Sequence, residues 1–105
     1  KLNENDIKSI SVKIKEILEN DFSENKNPIS AFKLGYWFEN FSPEIDLEKS
    51  YLWYSVSVSA GVYKAMKIRD RVANLIEKKK IIEIQQQAKE IFTKDTYFNV
   101  QKGEE

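Results

Sequence analysis

A chain of 105 residues is one domain's length, and 41% hydrophobic content is enough to bury a core. Lys and Arg number 17, as do Asp and Glu, so no global charge draws the protein to nucleic acid or an anionic membrane. Cysteine and histidine are both absent, which excludes disulfides, thiol nucleophiles, the common zinc ligands and the usual general base near neutral pH.

No apolar run approaches the roughly 20 residues that span a bilayer, so direct membrane insertion is not expected. A start at Lys1 with no signal-peptide core reads as a fragment or a processed product. Lys1 to Asp6 is polar and turn-rich, and fraying is expected there. Ile7, Ile10, Ile14, Ile17 and Leu18 then share one stripe, with Lys8, Lys15, Glu16 and Glu19 turned away. The spacing predicts an amphipathic helix that docks by the isoleucine face. The alternation from Ser9 to Lys15 also fits a strand, but no other segment offers it a partner strand.

Asn27 followed by Pro28 is a strong helix start, because Asn caps free backbone donors and Pro has no donor to leave unpaired. This second helix runs to about Asn40. At about 100° per residue its core face gathers Ala31, Leu34, Gly35, Phe38 and Phe41, while Phe32 and Tyr36 project from the other side. Gly35 inside a helix costs roughly 1 kcal/mol relative to Ala, so a neighbouring helix is expected to cross close over it. Pro43 interrupts the chain and Asp46 caps a third helix. One face of that helix holds Leu47, Ser50, Tyr51, Tyr54, Ser57 and Val58; a second holds Leu52, Trp53, Val56 and Ala60. With only Glu48, Ser55 and Ser59 as a polar strip, it should lie between other helices, and Gly61 should end it as a left-handed cap.

A fourth helix carries Ala65, Ile68, Val72 and Leu75, and a fifth carries Ile81, Ile84, Ala88, Ile91 and Phe92. Over the 16 residues from Val72 to Ala88 the two stripes drift about 160° apart, so one straight helix cannot bury both. A break near Glu77 to Lys80 is expected. Thr93 to Glu105 closes in residues that cannot pack, and reads as a fraying tail. Its Tyr97-Phe98-Asn99-Val100 segment either folds back onto the helices or stays loosely ordered.

Five helices that pair in sequence call for a search for internal repeats. Ser30-Ala31-Phe32-Lys33-Leu34-Gly35, then Phe38, Asp46, Lys49-Ser50, Trp53-Tyr54, Ser57 and Gly61, resembles the Sel-one-like repeat family, a branch of the tetratricopeptide-type helical repeats. Ala65-Met66-Lys67-Ile68-Arg69-Asp70-Arg71-Val72-Ala73 is similar to a degenerate last copy, and Gln85-Gln86-Gln87-Ala88-Lys89 to the closing helix after it. Setting Ser30 against Ala65 gives a period of 35 residues and puts Asp70 where the first copy has Gly35. The loop Asn40 to Ile45 replaces the family's Gly-containing loop, and Ser50 and Ser57 stand where Ala is typical.

The resemblance implies an all-α fold of antiparallel helix pairs, stacked as a short α-α solenoid with a tetratricopeptide-like right-handed superhelical course. It divides a single domain, 1–105, into an N-terminal helix or cap (1–29), a repeat (30–61), a degenerate terminal repeat (62–93) and a tail (94–105). The implied function is a protein-interaction or scaffold module that takes a peptide or a helix. A structural or self-associating domain, bound to copies of itself, is the alternative.

Among surface residues, Phe32, Tyr36, Trp37 and Tyr63 are the candidate partner-binding set, because aromatics dominate interface hot spots. Trp53 and Tyr54 occupy family core positions and are expected inside. Tyr36 and Trp37, off the main core stripe, are the strongest interface candidates. Lys78-Lys79-Lys80, with Lys64, Lys67, Arg69 and Arg71, could hold phosphate. Glu77, Glu83 and Asp70 interrupt it, so a solvated surface is the better reading and nucleic acid is not an expected partner. The carboxylate pairs Glu44 with Asp46 and Glu16 with Glu19 lie in a loop and on an exposed face, without the burial that acid–base catalysis needs. No Gly-rich phosphate loop or metal-ligand cluster is present, so no enzyme, cofactor or metal is expected.

Overall fold

In the computed structural model, which describes residues 3–104 and the side chains of residues 3–93, the protein is all-helical. Among the described residues the five helices are α1 (Glu4–Asn25), α2 (Pro28–Asn40), α3 (Leu47–Ser59), α4 (Ala65–Ala73) and α5 (Lys78–Glu104). Among the described residues there is no strand, and no helix is long and apolar enough to cross a membrane.

Local chemistry sets most boundaries. The Asn3 side chain accepts from the backbone N–H of Asp6 at 2.8 Å, and the Asp6 carboxylate accepts from that of Asn3 at 3.3 Å. This capping box starts α1 inside the segment expected to fray. Lys26, at φ 54°, takes the left-handed conformation and ends it. Asn27 caps α2 through the N–H of Ile29, and Asp46 caps α3 through that of Lys49, both at 3.0 Å. Gly61, at φ 102°, turns the chain after α3, as a residue without a Cβ does easily. The break expected near Glu77 to Lys80 falls earlier, at residues 74–77, so that Lys78 to Lys80 open α5, and Leu75 lies exposed in the break rather than on a buried stripe. Beyond Thr93, α5 continues through the stretch expected to be a tail. What Tyr97 to Val100 meet lies outside the described residues.

α3 is the hub. It packs against α2, α4 and α5, as its two apolar faces predict. Asp46 N–H donates to the Phe38 carbonyl, Ser50 meets Gly35 and the Tyr54 ring meets Phe32, so α2 and α3 run antiparallel. Tyr51 meets Gln85 while Val56 clusters with Ala88, so α5 runs alongside α3 in the same direction. Tyr51, Tyr54, Val62, Ala65, Val72 and Ile84 form the largest core cluster. Ser55, expected on the polar strip, is buried, and its hydroxyl meets no hydrogen-bond partner among the described residues.

Burial recurs along the stack. Ala31 and Ala65, Leu34 and Ile68, Phe38 and Val72, Ser50 and Ile84, and Tyr54 and Ala88 are each 34 residues apart, and every one of them lies in or against a core cluster except Ser50, which is buried. This spacing is one residue shorter than the 35 set from Ser30 and Ala65. It pairs Gly35 with Arg69, not with Asp70.

Candidate protein-interaction surface

α1 docks on α2 by a face the sequence did not favour. The contacts come from Ser11, Lys15, Leu18 and Phe22. Leu18 packs on Leu34, Trp37 and Phe38; Phe22 clusters with Ala31 and Val56 and meets the Trp53 ring edge-on at 5.2 Å. Ser11 ties the two helices twice: its carbonyl accepts from Trp37 Nε1–H at 2.9 Å, and its Oγ donates to the Phe41 carbonyl at 2.9 Å. At the far end Asp21 Oδ2 accepts from Asn27 Nδ2 at 2.8 Å and from the Ser30 hydroxyl, and Asp21 Oδ1 accepts from Asn25 at 2.7 Å. These three hydrogen bonds, Ser30 first, hold the Asp21 carboxyl below its ordinary range.

The consequence is an uncovered apolar stripe. Ile7, Ile10, Ile14 and Ile17, expected to make the docking face, keep between 46 and 58% of their surface exposed. Beside them Phe41, expected on the core face of α2, is its C-cap residue and 57% exposed. Tyr36, 48% exposed, leans on Phe41 with ring centroids 5.7 Å apart. Ile7, Ile10, Ile14 and Phe41 enclose an apolar groove of about 260 Å³ whose floor is Trp37. A larger cleft of about 750 Å³ winds around the α2–α3 loop, but its apolar lining, Val12, Ile45, Leu47, Leu75 and Ile76 among it, is interrupted by seven charged side chains, Lys15, Glu44, Asp46, Glu48, Lys49, Glu77 and Lys80. The apolar groove is the better candidate, because water leaves it at a gain.

The four aromatics singled out from the sequence separate. Tyr36 lies on the rim of this groove. Trp37 does not belong to the exposed set: it is 4% exposed, stacked edge-on against Phe38 at 5.0 Å, with Lys15 Nζ 5.8 Å over its ring. The helix wheel of α2 alone puts Trp37 off the core stripe, but α1 lands there and closes it in. Phe32 is half-buried under the Tyr54 ring at 5.6 Å, and Lys64 Nζ sits 5.1 Å from its centroid. Tyr63, 73% exposed, stands in the α3–α4 turn. Trp53, expected in the core, is only partly buried, between Phe22 and the cluster of Leu34, Trp37 and Phe38.

The polar chemistry of the α2–α4 side is spent internally. Glu39 Oε1 accepts from Tyr54 Oη at 3.0 Å, and its Oε2 pairs with Arg71 Nη1 at 2.7 Å. Burial and then the bond to Glu39 keep the Tyr54 phenol protonated far above its usual range, and the same carboxylate raises Arg71. Among the described residues no group of His, Cys, Asp and Glu could hold a metal ion. No family model, curated protein or solved structure matches the chain.

Proposed function

We propose that this protein is an interaction module whose α1–α2 face receives an amphipathic helix. The observation that carries the reading is the contiguous apolar stripe Ile7, Ile10, Ile14, Ile17 with Phe41, left uncovered on a folded chain. Its 3-4-3 spacing is the seam that one helix offers another, and helix-in-groove recognition uses such anchors. Trp37 makes a rigid floor and Tyr36 an aromatic rim, the residue types that dominate interface energetics.

Register within the stack supports the same reading. Ser11, Lys15 and Phe22, which meet α2, fall 36 residues before Leu47, Tyr51 and Val58, the α3 residues of the cluster shared with α4 and α5. Ile10, Ile14 and Ile17 fall 36 residues before Asp46, Ser50 and Trp53, the residues by which α3 meets α2. The isoleucine face of α1 is thus the counterpart of a face that elsewhere in the chain holds an antiparallel helix. This fits a Sel-one-like, tetratricopeptide-like solenoid, as does burial at a period of 34. The same reading assigns the protein no catalytic step and no nucleic-acid partner.

Selection from a displayed library of helical peptides tests it. Binders should carry apolar residues at i, i+3, i+4 and i+7, and should lose affinity by at least tenfold against Ile10→Asp, which stays folded because the side chain is already exposed. Peptides without that pattern, or indifferent to Ile10→Asp, would show that the face is not a docking site.

A further inference from the structure

The isoleucine stripe has a symmetry that admits a second copy of itself, and the apolar area it exposes is what a dimer needs. Positions 7, 10, 14 and 17 are spaced 3-4-3, which reads the same in both directions about residue 12. We infer that the helix received by this face is α1 of a second copy, antiparallel, related by a two-fold axis at the level of Val12. This rests on the docking-face reading above and names its partner.

In that arrangement Ile7 meets Ile17 of the other copy and Ile10 meets its Ile14, so four isoleucine layers form with every residue matched. A two-fold interface must be self-complementary in this way, each residue i meeting j and j meeting i. The aromatic rim obeys the same axis. Ser11 Oγ binds the Phe41 carbonyl, which fixes Phe41 beside residue 11, next to the axis. The two Phe41 rings, each backed by Tyr36, therefore close the flank that α2 borders. In parallel coiled coils isoleucine at both seam positions favours more than two helices. Here α1 and α2 from each copy make four.

The area is sufficient. Ile7, Ile10, Ile14, Ile17, Phe41 and Tyr36 are 55, 47, 46, 58, 57 and 48% exposed. Taking a large apolar side chain as about 200 Å², covering them removes roughly 600 Å² per copy and 1,200 Å² per pair, the lower edge of a specific interface. Lys13 on the opposite flank faces its own copy near the axis, but a solvated lysine pair at a rim is well screened.

The native chain has no cysteine, so introduced thiols report alignment without background. Sedimentation equilibrium from micromolar to millimolar protein should give a mass approaching twice the 12.3 kDa of one chain. Ile14→Asp should weaken association at least a hundredfold with an unchanged far-ultraviolet spectrum. A mixture of Ile7→Cys and Ile17→Cys proteins should cross-link under diamide, whereas Ile7→Cys alone should not, since antiparallel copies separate its two thiols by about 15 Å of helix. Cross-linking of Ile7→Cys with itself, or a dimer that ignores Ile14→Asp, would overturn the arrangement. A wild-type protein that stays monomeric while still binding library helices at Ile10 would also overturn it, and would leave the docking face to a foreign helix. Monomer with no library binders would remove both readings.

Discussion

A Cβ built on Gly35 would lie 2.5 Å from Cδ1 of Tyr54 and 2.8 Å from Cε1 and Cγ of the same ring. The ring cannot swing aside, because Tyr54 is fully buried and its hydroxyl is held by Glu39. Two effects oppose each other in Gly35→Ala. Helix propensity favours Ala by roughly 1 kcal/mol, while overpacking a tight crossing costs about 1–3 kcal/mol. The clash wins, so Gly35→Ala should lower stability by about 1 kcal/mol and Gly35→Leu by clearly more in a urea titration. A neutral Gly35→Leu would mean that α2 and α3 do not cross at this point.

The serines at 50 and 57 are both buried, yet their removal should differ. Ser50 Oγ donates across the helix pair to the Gly35 carbonyl at 2.7 Å, whereas Ser57 Oγ bonds only the Tyr54 carbonyl of its own helix, at 2.7 Å. Ser50→Ala loses an interhelical hydrogen bond worth about 1 kcal/mol. Ser57→Ala loses a back-bond that competes with the helix, and Ala has the higher propensity, so its stability should change by less than about 0.5 kcal/mol. Equal costs in thermal melts would contradict this division.

Boundaries were legible wherever a single residue's chemistry decides them: Asn27-Pro28, Asp46 and Gly61 all act as their side chains or backbone freedom dictate. The central place of α3 was legible too, since a helix with apolar residues on two faces has few other homes. Periodicity found the isoleucine stripe of α1 but assigned it to the core, because it reports which face gains from burial and not which neighbour is at hand. Ser11 and Lys15, polar in sequence, dock through a carbonyl and a hydroxyl and through a cation over Trp37. No hydropathy pattern carries that signal. Once α1 docked elsewhere, Trp37 and Phe41 exchanged places, one buried and the other exposed. The sequence clue to the groove was the 3-4-3 isoleucine spacing.

Asp21 should make the α1–α2 joint acid-sensitive. Its carboxyl is held below its ordinary value of 3.8 by Ser30, Asn25 and Asn27. A carboxyl depressed in the folded state contributes stability that is present above its unfolded pKa and is lost as pH falls through the folded one. Thermal melts should therefore drop below about pH 4, and Asp21→Asn should flatten that drop while lowering stability at pH 7. A wild-type and a variant that lose stability in parallel between pH 5 and 2 would place the acid response elsewhere.

The two tryptophans and Tyr36 give the sharpest test of where α1 sits. Trp37 is enclosed by Leu18, Leu34 and Phe38, and its indole N–H is satisfied by the Ser11 carbonyl. Trp37→Ala therefore removes a buried ring and leaves that carbonyl without its side-chain donor, which together should cost about 3–5 kcal/mol. Trp53 is only partly covered, so Trp53→Ala should cost less, about 2 kcal/mol, most of it from lost contact with Phe22. Tyr36→Ala removes a half-exposed ring that leans on Phe41 and should stay within about 0.5 kcal/mol of wild type. The order Trp37, Trp53, Tyr36 in a denaturant titration is thus a reading of α1's docking face. If Trp37→Ala is as mild as Tyr36→Ala, α1 does not cover Trp37, and the isoleucine stripe is free to pack on α2 as its sequence alone suggests.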